Sequence, residues 1–199
     1  MRRRLRLSFA AIVVAVPALL AVGEPAADSG AARVVRLAAG DQVVVATSAV
    51  RCTVSSVGGP PTIVCGQSDA AGPRPGSWSF AVADDTLQVM KTSKSSLPVE
   101  VAKRTQPPII GAAYPGKMNG GRSLTVHPGA AMTVTGTHVL CAVATVSAQP
   151  YVTCGLADGA GAYAAGSFVG VISDTQLLVV RKLAKNGSKT VLTRIQPTP

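Results

Sequence analysis

The chain has 199 residues, of which 47% are hydrophobic, 14% are charged and 4% are aromatic, and its formal net charge is +10. This composition excludes an intrinsically disordered chain, which needs low hydrophobicity and high charge. The 20 glycines and 14 prolines disfavour long helices, and the scarcity of aromatic residues disfavours an aromatic-lined groove.

The first 23 residues are typical of a secretory signal peptide. Four arginines precede an apolar run over residues 7–22, and small residues follow at positions 21–23. The run is shorter than the ~20 residues that a transmembrane helix needs, so we expect cleavage and export, with an uncleaved anchor as the alternative. Residues 24–32 are expected to form a flexible leader. The signal carries four of the 19 basic residues and none of the nine acids, so the net charge of the mature chain is +6. The rest of the sequence contains no second apolar segment long enough to span a membrane.

The rest of the chain is an internal duplication. Residues 33–69 match residues 122–158 at an offset of 89, and residues 76–107 match residues 166–197 at an offset of 90. The one inserted residue falls in a Gly/Pro loop, where insertions are tolerated. The predicted organisation is one β-domain over 33–107, a Gly/Pro-rich linker over 108–121 and a second β-domain over 122–197.

Both repeats predict short strands. Apolar residues that stay large in both copies alternate with variable positions, as in Val43 and Val45 against Met132 and Val134. β-branched residues are frequent, and turn residues recur every ~8–12 positions. The sequence therefore predicts an all-β fold of two tandem small domains, each an antiparallel sandwich or partly open barrel.

The four cysteines predict one hairpin disulfide in each repeat. The same spacing of 13 positions separates Cys52 from Cys65 and Cys141 from Cys154, and export favours oxidised thiols. A two-residue turn at Gly58–Gly59 would place the first pair directly across two strands, whereas residues 147–148 form a poorer turn. The spacing and the scarcity of histidine disfavour zinc, and no C-x-x-C redox motif is present.

The familiar catalytic motifs are missing. The sequence has no G-x-S-x-G elbow, P-loop or H-E-x-x-H motif. We interpret Asp69, Asp84, Asp158 and Asp174 as turn-forming residues, with a calcium site as a weak alternative. The two histidines, at positions 127 and 138, lie beside turn residues. The sequence therefore predicts no enzyme, no cofactor and no metal site.

The clearest binding hypothesis is a basic hairpin in the second repeat. Asn186–Gly187 is a two-residue hairpin signal, and the candidate binding residues cluster around it: Arg181, Lys182, Lys185, Lys189 and Arg194. Such a surface suits an anionic polymer. Lysines on an edge strand that only discourage aggregation are the alternative. Nucleic acid is disfavoured because base stacking needs exposed aromatic residues, and only Tyr114 and Tyr163 are expected outside the core.

These features together predict a secreted, non-enzymatic tandem β-domain protein that binds a partner. The first hypothesis is that an anionic polymer of the cell envelope is held by this hairpin and by a weaker basic hairpin in the first repeat, with Lys91, Lys94, Lys103 and Arg104. A secreted inhibitor or effector that binds another protein is the alternative, with the Gly72–Gly76 loop as the inserting element. An enzyme with an unfamiliar site, using Asp158, His127 or His138, is the third hypothesis.

Overall fold

The computed structural model describes residues 34–56, 60–69, 72–93, 98–105, 121–184 and 187–197, with the backbone alone in 98–105. The signal peptide, the leader and residues 108–120 of the linker lie outside the described residues. The described part of the chain contains strands and no helix, as predicted. In chain order the strands are β1 Val34–Leu37, β2 Gln42–Val45, β3 Val50–Ser55, β4 Thr62–Asp69, β5 Gly72–Pro73, β6 Trp78–Val82, β7 Thr86–Thr92, β8 Pro98–Thr105, β9 Ser123–Val126, β10 Ala131–Val134, β11 Val139–Val146, β12 Gln149–Leu156, β13 Phe168–Ser173, β14 Gln176–Lys182 and β15 Ser188–Ile195.

The strands form two sheets, one built mainly from each half of the chain. The first sheet has the order β8-β7-β6-β4-β3-β2-β9, with the short β5 beside β4, and the second has the order β1-β10-β11-β12-β13-β14-β15. Within β2–β8 and within β10–β15, strands that are neighbours in these orders pair in antiparallel fashion, as the sequence predicts. Neither sheet closes into a barrel along these orders.

The two halves exchange their first strands. Strand β1 of the first half pairs parallel with β10 of the second, and β9 of the second half pairs parallel with β2 of the first. These two parallel pairs are a departure from the predicted antiparallel sheets. They arise because each first strand leaves its own half and extends the edge of the other sheet. The repeat boundaries at 33–107 and 122–197 stay a prediction.

The inner faces of the two sheets share one hydrophobic core. The period-two alternation places Val43, Val45, Met132 and Val134 at most 1% exposed, which confirms the face chosen from the sequence. One contact crosses the core at very short range: a Cβ added at Gly170 would lie 2.7 Å from the ring of Phe80. A glycine is required there because only a bare backbone admits the phenylalanine ring.

Both predicted disulfides are present, and no described cysteine is free. Cys52 lies directly opposite Cys65, and Cys141 lies directly opposite Cys154, each across an antiparallel pair. In the second half Ser147 and Ala148 adopt φ values of 49° and 66° and form the two-residue turn. The sequence predicted a poorer turn at residues 147–148, but the structure forms the two-residue turn there. The Gly58–Gly59 turn lies outside the described residues.

Candidate binding hairpin

The predicted basic hairpin is formed by β14 and β15, and β15 is the edge strand of the second sheet. Arg181 lies directly opposite Lys189, and both side chains are exposed. Since directly opposed residues share a face of the sheet, the two cations project side by side. On the adjoining strand Phe168 pairs with Arg181, and the guanidinium lies 5.9 Å from the centre of the Phe168 ring. Across three neighbouring strands, Phe168, Arg181 and Lys189 therefore form a row of one half-buried ring and two exposed cations.

The turn of this hairpin is longer than the sequence predicted. A two-residue turn at Asn186–Gly187 would pair Lys185 with Ser188, but the structure pairs Lys182 with Ser188. The amide of Leu183 donates to the carbonyl of Gly187 at 2.8 Å and closes a five-residue connection. The alternation of apolar residues along the strands sets this register. Lys182 is partly exposed, whereas Lys185 and Asn186 lie outside the described residues.

Arg194 does not belong with the other candidates. It lies opposite Leu177, several residues from the tip of the hairpin. Its guanidinium lies 5.1 Å from the centre of the Trp78 ring in the other sheet, and the ammonium of Lys91 lies 5.3 Å from the same ring. Arg194 thus joins the two halves through a cation–π contact.

The neighbouring Gln196 reinforces that junction. Its side-chain oxygen accepts from the amide of Trp78 at 2.8 Å, and its side-chain nitrogen donates to the carbonyl of Trp78 at 2.9 Å. Gln196 is buried, so both hydrogen bonds satisfy polar groups that would otherwise be costly. This end of β15 therefore holds the sheets together, and the exposed cations lie towards its other end.

The two acidic residues of the second half serve other contacts. Asp158 accepts from the amides of Ala160 and Ala162 at 2.9 and 3.0 Å and orders its own loop. Asp174 accepts from the amide of Ala49 and from the hydroxyl of Ser48, both at 2.9 Å, across the junction between the halves. Within the part of the chain that the structure describes, no ion pair reaches Arg181 or Lys189.

Asp84 makes the matching contact from the other side. One of its oxygens accepts from the amide of His138 at 2.7 Å, and the other lies 2.9 Å from Nδ1 of the ring. In the repeat alignment Asp84 corresponds to Asp174, and His138 corresponds to Ala49. The residue that donates its backbone amide is a histidine in one copy and an alanine in the other, so its side chain is not needed for this contact. The shared role of the two carboxylates is therefore to bind a backbone amide of the opposite half. The hypothesis that His138 is catalytic stays a prediction.

A further ion pair ties the exchanged strands together. The buried carboxylate of Asp41 accepts from the side chain of Arg122 at 2.6 Å and from the amides of Ala38, Gly121 and Arg122 at 3.0–3.1 Å. The Arg122 guanidinium is the main reason why the pKa of Asp41 lies well below its ordinary value. Sequence reasoning missed this site, because the partners lie 81 positions apart.

Among the described residues, no group of three or more His, Cys, Asp or Glu side chains could hold a metal ion. In the same part of the chain we find no helix with the length and hydropathy that a membrane span requires. His127 is exposed beside its turn. The sequence predicted that Tyr163 lies outside the core. In the structure its ring packs against the outer face of the second sheet, and its hydroxyl bonds to Thr153.

No protein-family model, no curated protein and no solved structure matches the chain.

Proposed function

We propose that the protein is a secreted, non-enzymatic binding protein that holds an anionic polymer of the cell envelope on the hairpin formed by β14 and β15. The observation that carries the proposal is the pair of exposed cations, Arg181 and Lys189, directly opposite each other on one face. Like charges in this arrangement destabilise a sheet. A polyanion that bridges both cations would turn that cost into a binding contribution.

The charge around the hairpin supports the same proposal. Both acids of the second half are engaged with backbone amides elsewhere, so they do not neutralise Arg181 and Lys189. The corresponding positions of the first half hold Lys91 and Val99, so a cation pair is a property of the second half. Protection of edge strand β15 accounts for Lys189, but it does not account for Arg181 on the inner neighbour β14.

The exported location is part of the proposal. The signal-like residues 1–23 lie outside the described residues, and their sequence supports export. Two disulfides in a chain with four cysteines are compatible with an oxidising compartment.

A second candidate function is inhibition or modulation of another protein through the Gly72–Gly76 loop. The favouring observation is that this loop is anchored at several points. Strand β5 pairs with Ser68 and Asp69, the amide of Arg74 donates to the carbonyl of Gln67, and the Ser77 hydroxyl donates to the carbonyl of Arg74. An ordered loop loses little conformational entropy when it binds.

The test is sedimentation of the purified protein with washed envelopes of the secreting cell, at low and then high salt. We expect binding at low salt that is lost at high salt, because screening weakens contacts between exposed charges. Arg181→Gln/Lys189→Gln should abolish binding. The matched control, Arg36→Gln/Arg51→Gln, removes the same charge from other exposed positions and should bind as the original protein does. Equal loss in both variants would assign binding to net charge, and binding that resists salt would favour the second candidate.

A further inference from the structure

The outer faces of the two sheets differ at one equivalent place. In the second half the ring of Tyr163 packs over Gly155: a Cβ added at Gly155 would lie 3.2 Å from Cδ1 of the ring. The hydroxyl of Tyr163 donates to the carbonyl of Thr153 at 3.0 Å and lies 2.7 Å from its side-chain oxygen. Burial raises the pKa of Tyr163 above its ordinary value. In this half the site over Gly155 and Thr153, here called the seat, is therefore filled by the phenol ring of Tyr163.

In the first half a proline stands where the second half has this tyrosine. Pro73 pairs with Ser68, and Tyr163 pairs with Ala157, which is the equivalent of Ser68 in the repeat. The smaller Pro73 lines a pocket of about 130 Å³ at this place in the first sheet. Its walls include Arg51, Thr53, Val64, Gly66, Ser79 and Thr92.

The pocket is close in volume to a cavity that holds one aromatic ring. Cavities of about 150 Å³ accept a benzene ring, and Ser79 replaces the larger Val169, which leaves room above the sheet. In the second half the threonine that contacts the Tyr163 hydroxyl is Thr153, which lies opposite Ala142. In the first half the equivalent pair is Thr53 opposite Val64, so the threonine lies on the other strand of the pair. A hydroxyl group is thus available on the same cross-strand pair in both halves.

We infer that this pocket binds the side chain of a tyrosine carried by a partner polypeptide. The pocket is open to solvent and holds one ring, so the remainder of the ligand lies outside, as the backbone around Tyr163 does in the second half. A single aromatic side chain seated in such a pocket is a common anchor of protein interfaces. The exposed Arg51 at the wall can lie over the face of the bound ring. This surface is separate from the basic hairpin, so the inference does not depend on the proposed function.

The first experiment is an NMR titration of the ¹⁵N-labelled protein with N-acetyl-tyrosinamide. We expect saturable shifts of the amides of Thr53, Gly66 and Ser79, and weaker binding of N-acetyl-phenylalaninamide by about threefold to tenfold, because one hydrogen bond is lost. Thr53→Trp should block the pocket, whereas Thr125→Trp, on the exposed face of β9, should leave binding unchanged. Shifts that do not saturate, or binding that survives Thr53→Trp, would overturn the inference.

The second experiment opens the equivalent seat. Tyr163→Ala should create a second site for p-cresol near Gly155, so the variant should bind two equivalents where the original protein binds one. If this variant does not fold, the block by Thr53→Trp still decides the question. The same titration in a Tyr114→Ala background tests another occupant. Binding seen only in that background would show that the chain's own tyrosine competes for the pocket, and would overturn the assignment to a partner.

Discussion

The two halves of the molecule match closely in strand order and differ where they meet or face solvent. Both contain a disulfide hairpin at the same spacing, and both send an aspartate across to a backbone amide of the other half. In the core, however, Phe80 of the first half faces Gly170 of the second, although the two positions are equivalent in the repeat. Two phenylalanines would collide there, and two glycines would leave a void. The difference shows that the halves are complementary parts of one core.

The largest expected effect tests this complementarity. Phe80→Ala should lower the free energy of unfolding by about 3–5 kcal/mol, because it leaves a cavity in the shared core. Gly170→Ala should cost about 1–3 kcal/mol, because its methyl group collides with the ring. In the double variant the methyl group enters the cavity, so the combined cost should be smaller than the sum. Urea unfolding measures all three variants, and additive costs would show that the two positions do not contact each other.

A second test concerns Asp41, whose equivalent in the second half is Ala130. The pKa of Asp41 is lower in the folded protein than its ordinary value, so its contribution is present above about pH 4 and is lost as the pH falls below that. Asp41→Asn should cost about 1–3 kcal/mol at pH 7, because the charged acceptor is lost. In urea titrations at pH 2.5, the difference in the free energy of unfolding between the original protein and Asp41→Asn should be smaller than at pH 7. The exposed Asp85→Asn serves as the control, and a gap independent of pH would refute the role of the Asp41 charge.

The smallest expected effect concerns the turn after β2 and its equivalent after β10. Thr47 has a φ of 60°, whereas its equivalent Gly136 has a φ of 80°. A β-branched residue is strained in this region. Thr47→Gly should therefore stabilise the protein by about 0.5–1 kcal/mol, after allowance for the greater freedom of glycine in the unfolded chain. Gly136→Thr should destabilise it by about 1–2 kcal/mol. Thermal unfolding with opposite shifts would confirm the comparison, and shifts of the same sign would contradict it.

Local patterns predicted much of the fold and some of the candidate site. The alternation in β2 and β10 identified the buried faces, and the common spacing of the cysteines identified both disulfides. The basic residues of β14 and β15 could be found because they lie close together in the sequence. Arg194 could not be separated from them by sequence alone, since its contact with Trp78 joins residues that lie 116 positions apart. The five-residue connection at the hairpin tip was missed because the strand register overrode a strong turn signal.

The sequence by itself determined the strands, their buried faces, the duplication and the partners of the cysteines. These properties follow from a period of two and from turns that act over a few residues. Only the tertiary structure decided that β1 and β9 join the sheets of the opposite halves, and that Tyr163 fills a seat which Pro73 leaves open. The physical reason is that equivalent repeats offer the same local signals, so contacts between distant residues must choose among the possible pairings.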